Sequence, residues 1–162
     1  MWVLALAASA IIGSNVRSTD ARLTKVIADG VRHSPLIRRL TDVIDASDVI
    51  VYVERGECPS PATSCVLIGP RAGGVRFLRI RFTIDHGLGK RAWHRDELSV
   101  MLAHELQHAA EIAQWRDVVD DATLMGAYTR RGLVLSESRL ETHAARRAAD
   151  ERRAELRGRR RR

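Results

Sequence analysis

Two histidines and a glutamate stand at a spacing that suits metal chemistry. The segment His104-Glu105-Leu106-Gln107-His108 has the pattern HExxH. At 100° per residue on a helix the two imidazoles lie about 40° apart, one turn above the other, so both can reach one cation. Zinc suits such a pair because it accepts imidazole nitrogen at tetrahedral geometry. Glu105 lies beside His104, where a carboxylate can take a proton from water that the metal has activated.

The helix that carries this motif is apolar on nearly every side. Opposite the histidines it presents five apolar residues, and two more flank the metal face: Leu98, Leu102, Leu106, Ala109 and Ala113, then Met101 and Ile112. A helix of this kind belongs in a core, where buried imidazoles and a carboxylate need partners. Coordination of a metal would supply those partners.

A catalytic zinc site has three protein ligands and one open position, so a third ligand is needed. The extended pattern H-x-x-G-x-x-H is absent, because Glu111 and Gln114 occupy its glycine and histidine positions. This excludes the metzincin arrangement. The remaining candidates are Glu137 and Glu141, which lie four residues apart on one face of the predicted last helix.

The sequence E-T-H-A-A-R, from Glu141 to Arg146, resembles the E-x-x-A-D-R segment of HtpX-like zinc peptidases, whose leading glutamate is the third zinc ligand. It also looks like the E-T-x-A-A ending of short exported bacterial HExxH proteins of largely unassigned function. The resemblance covers about residues 49–149 and implies a zinc metallopeptidase of the gluzincin type. On that resemblance Glu141 is the third ligand and Glu137 the alternative. Ala145 departs from the pattern, so the supporting role of the family's aspartate must be filled by another residue, and Glu137 or Asp150 could fill it.

The resemblance also implies a cleft and an oxyanion stabiliser. In gluzincins an edge strand holds the substrate in extended form, and the matching strand here is 75–84. A histidine, tyrosine or arginine normally faces the general base, and the candidates are Tyr128 and His143. His143 follows Glu141 by two residues, which on a regular helix points it away from the metal.

The elements that position these residues can be read from hydrophobic periodicity. We predict helices over 18–29, ended by Gly30, and from Ser34-Pro35 onward, then strands over 49–53, 65–68 and 75–84. A helix over 96–115 with Asp96 as its N-cap, an irregular or helical stretch over 117–132 and a last helix from near Ser136 follow. The expected fold is α+β: a zincin-like single domain with N-terminal helices, a small antiparallel sheet, an HExxH active-site helix and a C-terminal helix carrying the third ligand.

The N-terminus and the cysteines predict export. Residues 1–12 are apolar and uncharged, and Ala8-Ser9-Ala10 has the form of a cleavage site, although a basic start is missing. Cys58 and Cys65 flank a turn-rich segment and are predicted to form a disulfide, worth about 2.5 kcal/mol by loop entropy. We therefore predict a signal or leader segment at 1–17, the metallopeptidase domain at 18–156 and a basic tail at 157–162, in a periplasmic or secreted protein.

The net charge of +7 is concentrated at the C-terminus, where residues 145–162 hold nine arginines and three acids. No aromatic residue is interleaved with these arginines, so a nucleic-acid partner is not expected, while contact with an anionic envelope surface remains open. No apolar run approaches the ~20 residues that a membrane span needs. The protein is expected to be a monomer.

Two functions from different classes fit these residues. The first is a zinc-dependent metallopeptidase that hydrolyses peptide bonds of peptides or proteins outside the cytoplasm. The alternative is a non-catalytic, zinc-stabilised envelope or binding protein. Glu105 favours the first, because a structural site has no need of an acid between its ligands and is usually closed by a fourth ligand.

Overall fold

The computed structural model describes residues 13–59, 62–83, 94–131, 134–136 and 139–161. Within them lie five helices: α1 (Ala21–His33), α2 (Pro35–Asp45), α3 (Arg95–Gln114), α4 (Asp121–Arg130) and α5 (His143–Arg160). The strands are β1 (Val16–Arg17), β2 (Val49–Arg55), β3 (Ser64–Ala72), β4 (Val75–Phe82), β5 (Val134–Ser136) and β6 (Arg139–Leu140). The predicted α+β class is confirmed.

The main sheet is mixed, with the strand order β1-β2-β4-β3. The pairs β1–β2 and β2–β4 are parallel, and only β3 and β4 run antiparallel. The prediction of an antiparallel sheet was therefore wrong: α1 and α2 form a crossover that lets β2 run parallel to β1. The expected edge strand 75–84 was also misplaced, because β4 lies inside the sheet and β3 forms its edge.

One face of the sheet forms the core together with the helices. The buried residues alternate along the two central strands, Val49, Val51 and Val53 on β2 and Leu78, Ile80 and Phe82 on β4. Helices α1, α2 and α3 pack on this face, and α3 also packs against α5. The opposite face carries half-buried or charged side chains, among them Arg79 and Arg81, which both pair with Glu54. This is the alternation expected of a strand with one buried face.

Three predicted helix boundaries were wrong. Gly30 lies inside α1 and does not end it; a methyl group there would come within 2.9 Å of Ile37, so glycine allows α2 to pack closely. The N-cap of α3 is His94 instead of Asp96, in a capping box with Glu97. The last helix begins at His143, because β5 and β6 form an antiparallel pair in the stretch that was expected to be helical.

A buried arginine fixes the end of the helix that carries the HExxH motif. Arg76 on β4 is 2% exposed and forms a bidentate ion pair with Asp48. Its Nη2 donates to Oδ1 at 2.7 Å and its Nε to Oδ2 at 2.9 Å. Its guanidinium also donates to the carbonyls of Ile112 and Ala113 in the last turn of α3, and to Trp115 and Val118 just beyond. The carbonyls of Ile112 and Trp115 also accept from the backbone amides of Trp115 and Val118. Arg76 adds a charged donor to these groups and to the carbonyls of Ala113 and Val118, at a helix end that leaves carbonyls free.

The termini and the cysteines bear on export. Cys58 and Cys65 form the predicted disulfide, which is compatible with an oxidising compartment. The apolar residues 1–12 lie outside the described part of the chain, while β1 uses the last two residues of the predicted leader and buries Val16. Helix α5 continues through Leu156, where the predicted domain ends. Among the described helices none has the length and apolar character to cross a membrane.

Candidate metal centre

Three side chains from two distant parts of the chain meet at one point. Oε1 of Glu141 lies 3.6 Å from Nε2 of His104 and 3.7 Å from Nε2 of His108. One donor atom from each residue lies within 4.8 Å of both others. The two histidines are one turn apart on α3, as their spacing predicts, and Glu141 approaches them from a segment more than thirty residues later.

Glu141 does not stand on a helix, contrary to the prediction. It lies between β6 and Thr142, and Thr142 is the N-cap of α5, where its hydroxyl accepts from the amide of Ala145. Threonine favours this position because its side chain satisfies an amide that the first helical turn leaves free. The third candidate ligand therefore lies between the end of β6 and the N-cap of α5.

The donor set fits a zinc ion. Two imidazole nitrogens and a carboxylate oxygen are ordinary zinc ligands, and a tetrahedron with bonds of about 2.0–2.1 Å has edges of about 3.3–3.4 Å. The separations of 3.6 and 3.7 Å are close to that edge. Within the described residues the group contains three donors, which leaves one of four positions open for water or a substrate.

Nδ1 of His108, the ring nitrogen that does not face Glu141, lies near two further polar groups. Nδ1 lies 3.0 Å from the hydroxyl of Tyr128 and 3.6 Å from Oε2 of Glu111, and that carboxylate oxygen is buried without a hydrogen-bond partner. If Nε2 binds a metal, Nδ1 carries the proton and can donate it to either group. A bound metal would thus account for the unpaired oxygen of Glu111.

Glu111 links the second histidine to the third ligand. Its Oε1 accepts from the hydroxyl of Thr142 at 3.0 Å and from the amide of Gln107 at 3.4 Å. The backbone amide of Thr142 in turn donates to Oε1 of Glu141 at 3.0 Å. These contacts join α3 to the start of α5 and fix the direction from which Glu141 approaches.

Glu105, the predicted general base, is held from the edge of the sheet. Glu105 is 4% exposed, and its Oε1 accepts a hydrogen bond of 2.6 Å from the hydroxyl of Ser64, the first residue of β3. A short bond to a carboxylate is charge-assisted and stronger than one between neutral groups. Ser64 binds Oε1 of Glu105 and does not occupy Oε2.

Burial and neighbouring charges shift the pKa values of the two histidines in opposite directions. Burial lowers the pKa of His104, and the nearby His108 adds to this against the attraction of Glu105 and Glu141. Burial also opposes the charged form of His108, but Glu111, Glu105 and Glu141 outweigh it and raise its pKa. Burial, followed by the same carboxylates, raises the pKa of Tyr128, so its hydroxyl stays protonated. A divalent cation would offset the acidic charge that gathers here.

The two candidate oxyanion stabilisers occupy different surroundings. Tyr128 is 2% exposed and touches His108 on the side away from Glu141, while its ring packs edge-on against Trp115. That position suits a residue that orients His108. His143 is exposed in the first turn of α5 and does not belong to the group of donors. Glu137, the alternative third ligand, lies outside the described residues.

Four contributing residues were not foreseen: Ser64, Glu111, Thr142 and Arg146, whose guanidinium lies 3.7 Å from Oε2 of Glu141. Glu111 had a local signal, because it follows His108 by three residues and so shares its helix face. Thr142 had the signal of a cap residue. Ser64 had no such signal in the sequence, because its contact with Glu105 depends on how the edge strand β3 packs against α3.

Comparison with models of known protein families, with curated proteins and with solved structures gives no match for this chain. The function therefore has to be inferred from the side chains of the site and their geometry.

Proposed function

We propose that this protein is a zinc-dependent metallopeptidase of the gluzincin type, with zinc held by His104, His108 and Glu141. The observation that carries the proposal is that Oε1 of Glu141 lies within 3.7 Å of both Nε2 atoms, beside a buried Glu105. The arrangement of an edge strand next to the HExxH helix supports a zincin-like fold. The edge strand in this proposal is β3, which supplies Ser64.

The chain's own residues can perform amide hydrolysis. A bound zinc ion would lower the pKa of water and polarise the carbonyl of the substrate. Oε2 of Glu105 accepts the proton of the attacking water while Ser64 holds Oε1, and the same carboxylic acid then donates that proton to the leaving amine. The apolar surroundings of α3 exclude bulk water from Glu105 and strengthen these interactions.

A non-catalytic zinc protein is the weaker alternative. Structural zinc sites are usually closed by four protein ligands, whereas the described residues offer three. A structural site also has no use for a buried carboxylate next to the first ligand, and burying Glu105 without a task would be unfavourable.

The place of action belongs to the same proposal. The Cys58–Cys65 disulfide favours an oxidising compartment, so we infer that the protein is exported and acts as a monomer on peptides or proteins outside the cytoplasm. The exposed arginines near the end of α5, such as Arg157 and Arg159, are available for contact with an anionic envelope surface.

The substitution Glu105→Gln tests the proposal. It keeps the size and the hydrogen bond from Ser64 but removes the base, so zinc content should be unchanged while hydrolysis falls by about 10²–10⁴-fold. Zinc is measured by elemental analysis, and hydrolysis by digestion of a peptide library with and without a chelator. Glu151→Gln, at an exposed position on α5, is the matched control and should leave both unchanged.

Three results decide the matter. His108→Ala should lose zinc and hydrolysis together, since it removes a ligand. A Glu105→Gln protein that cleaves peptides as well as the wild type contradicts the role of Glu105. Purified wild type that contains zinc but cleaves no peptide favours the non-catalytic alternative.

A further inference from the structure

The disulfide and the general base are connected through one end of β3. Ser64 is the first residue of this strand and donates to Oε1 of Glu105, and Cys65 is the next residue in the chain. Cys65 is bonded to Cys58. We propose that the Cys58–Cys65 disulfide controls the hydrolytic activity of the metal centre by holding Ser64 against Glu105. This inference rests on the proposed function.

The end of β3 needs such a tie because of its place in the sheet. β3 is the edge strand, so Ser64 is paired on one side only, with Phe82 of β4. The last rung of an edge strand opens more readily than the middle of a sheet. A covalent bond at Cys65 restrains the chain one residue away from the hydroxyl that contacts Glu105.

The other partner of the disulfide is itself anchored to β4. The amide of Gly56 donates to the carbonyl of Phe82, and the hydroxyl of Thr83 donates to the carbonyls of Gly56 and Ala62. The arm before Cys58 is thus held at the end of β4, while the arm before Cys65 reaches β4 through bonds from Thr83 to the carbonyls of Ala62 and Thr63. Cys58 therefore serves as a fixed point to which the start of β3 is fastened.

Ser64 acts as a positioning residue. Its bond to Oε1 fixes the rotation of the Glu105 carboxylate and leaves Oε2 for proton transfer. When the end of β3 moves, the carboxylate loses this restraint, and the alignment needed for general-base catalysis is lost. The ligands are not on this strand: His104 and His108 lie on α3, and Glu141 precedes α5. Opening the disulfide should therefore reduce turnover and leave the metal bound.

The bond can be opened by an ordinary reductant. Cys58 and Cys65 are both partly accessible to solvent. A thiolate of a dithiol attacks one sulfur, the S–S bond breaks, and the second thiolate of the reductant closes on the first. The products are two cysteine thiols and the oxidised, cyclic dithiol, with two electrons and two protons transferred. In the experiment a tertiary phosphine replaces the dithiol, because dithiols also bind zinc.

The experiment compares the closed and opened forms in two backgrounds. The two backgrounds are the wild type and Ser64→Ala, both loaded with zinc. Each is assayed with the disulfide intact and after reduction by the phosphine. Each is also assayed as a variant in which Cys58→Ser and Cys65→Ser remove the disulfide. Opening the disulfide should lower kcat of the wild type by about tenfold or more and leave KM and zinc content unchanged. In Ser64→Ala it should lower kcat no further, because the disulfide and Ser64 act through the same contact and their effects are not additive. Ser64→Thr, which keeps the hydroxyl, should restore most of the activity, and Ser47→Ala is the matched control.

The outcomes separate this inference from the function on which it rests. The inference is overturned if opening the disulfide lowers kcat equally in the wild type and in Ser64→Ala, or if it does not lower kcat of the wild type. Either result leaves the peptidase assignment intact. Absence of hydrolysis by the oxidised, zinc-loaded wild type overturns the assignment itself. Amide hydrogen exchange gives an independent readout: opening should accelerate exchange at residues 64–66, and an unchanged rate there also overturns the inference.

Discussion

At the scale of single residues, Glu111 is the side chain whose contribution is most clearly defined by its contacts. Its carboxylate faces Nδ1 of His108 with one oxygen and the hydroxyl of Thr142 with the other. Groups that orient a zinc-bound histidine typically contribute 10–100-fold to metal affinity. Glu111→Gln should therefore weaken zinc binding by about that factor, as measured by competition with a chromogenic chelator. Affinity equal to that of Glu151→Gln would show that Glu111 does not orient the ligand.

Tyr128 offers a test of where catalytic stabilisation comes from. Tyr128→Phe keeps the ring contact with Trp115 and removes only the hydroxyl next to His108. We expect a loss of less than about tenfold in kcat, with a modest loss of zinc affinity, because the hydroxyl supports a ligand. Loss of an oxyanion stabiliser would instead lower kcat by about 10²–10³-fold. Steady-state kinetics on one cleaved peptide distinguishes the two.

At the residue level, the sequence could predict proximity only where the geometry is local. The meeting of His104 and His108 follows from helical periodicity alone, and Glu141 was selected by its resemblance to a known motif. The contact between Ser64 and Glu105 could not be foreseen, because it joins residues forty-one positions apart through the packing of a sheet edge on a helix. No spacing rule encodes such a contact.

At the scale of elements, α3 depends on Arg76 of β4. Arg76→Met removes a buried guanidinium that holds the last turn of the helix, and it takes this donor away from Asp48 and from the carbonyls of Ala113 and Val118. We expect the free energy of unfolding to fall by about 3–5 kcal/mol in urea denaturation. Arg79→Met, three residues along the same strand but half exposed, should change it by less than about 1 kcal/mol.

The same ion pair predicts a pH dependence. The hydrogen bond from Arg76 holds the pKa of Asp48 below its ordinary value of 3.8. A lowered pKa means that the stabilisation is complete above the ordinary pKa and is lost as the pH falls through the lowered one. Asp48→Asn should thus be less stable than wild type at pH 7, and the gap in urea midpoint should close below about pH 3.8. A gap of constant size across this range would exclude the ion pair as its source.

The element types were largely predictable, and their arrangement was not. Alternation of apolar residues indicated the strand that became β4. Strand direction and order depend on long-range pairing, so the parallel pairs and the edge position of β3 were missed. Arg76 was missed for the same reason, since a buried arginine is recognisable only from the carbonyls that it contacts.

At the scale of the whole molecule, the proposed zinc ion would tie α3 to the start of α5. A ligand that binds only the folded state stabilises it by about 2.7 kcal/mol at one hundred times its dissociation constant. For a domain of this size we expect zinc to raise Tm by about 5–10 °C, measured by thermal unfolding with and without chelator. His108→Ala should show no zinc-dependent shift. The same shift in that variant would place the ion elsewhere on the protein.

The hairpin between β3 and β4 has a practical consequence. Gly73 and Gly74 connect the strands with positive φ angles of 57° and 81°, and a methyl group on either would meet no atom within 4 Å. This tip lies at the opposite end of β3 from Ser64, about 30 Å away at about 3.3 Å per residue. An affinity handle or fluorophore inserted between the two glycines should leave the end of the strand near Glu105 unobstructed. The protein could then be immobilised in one orientation for substrate screening.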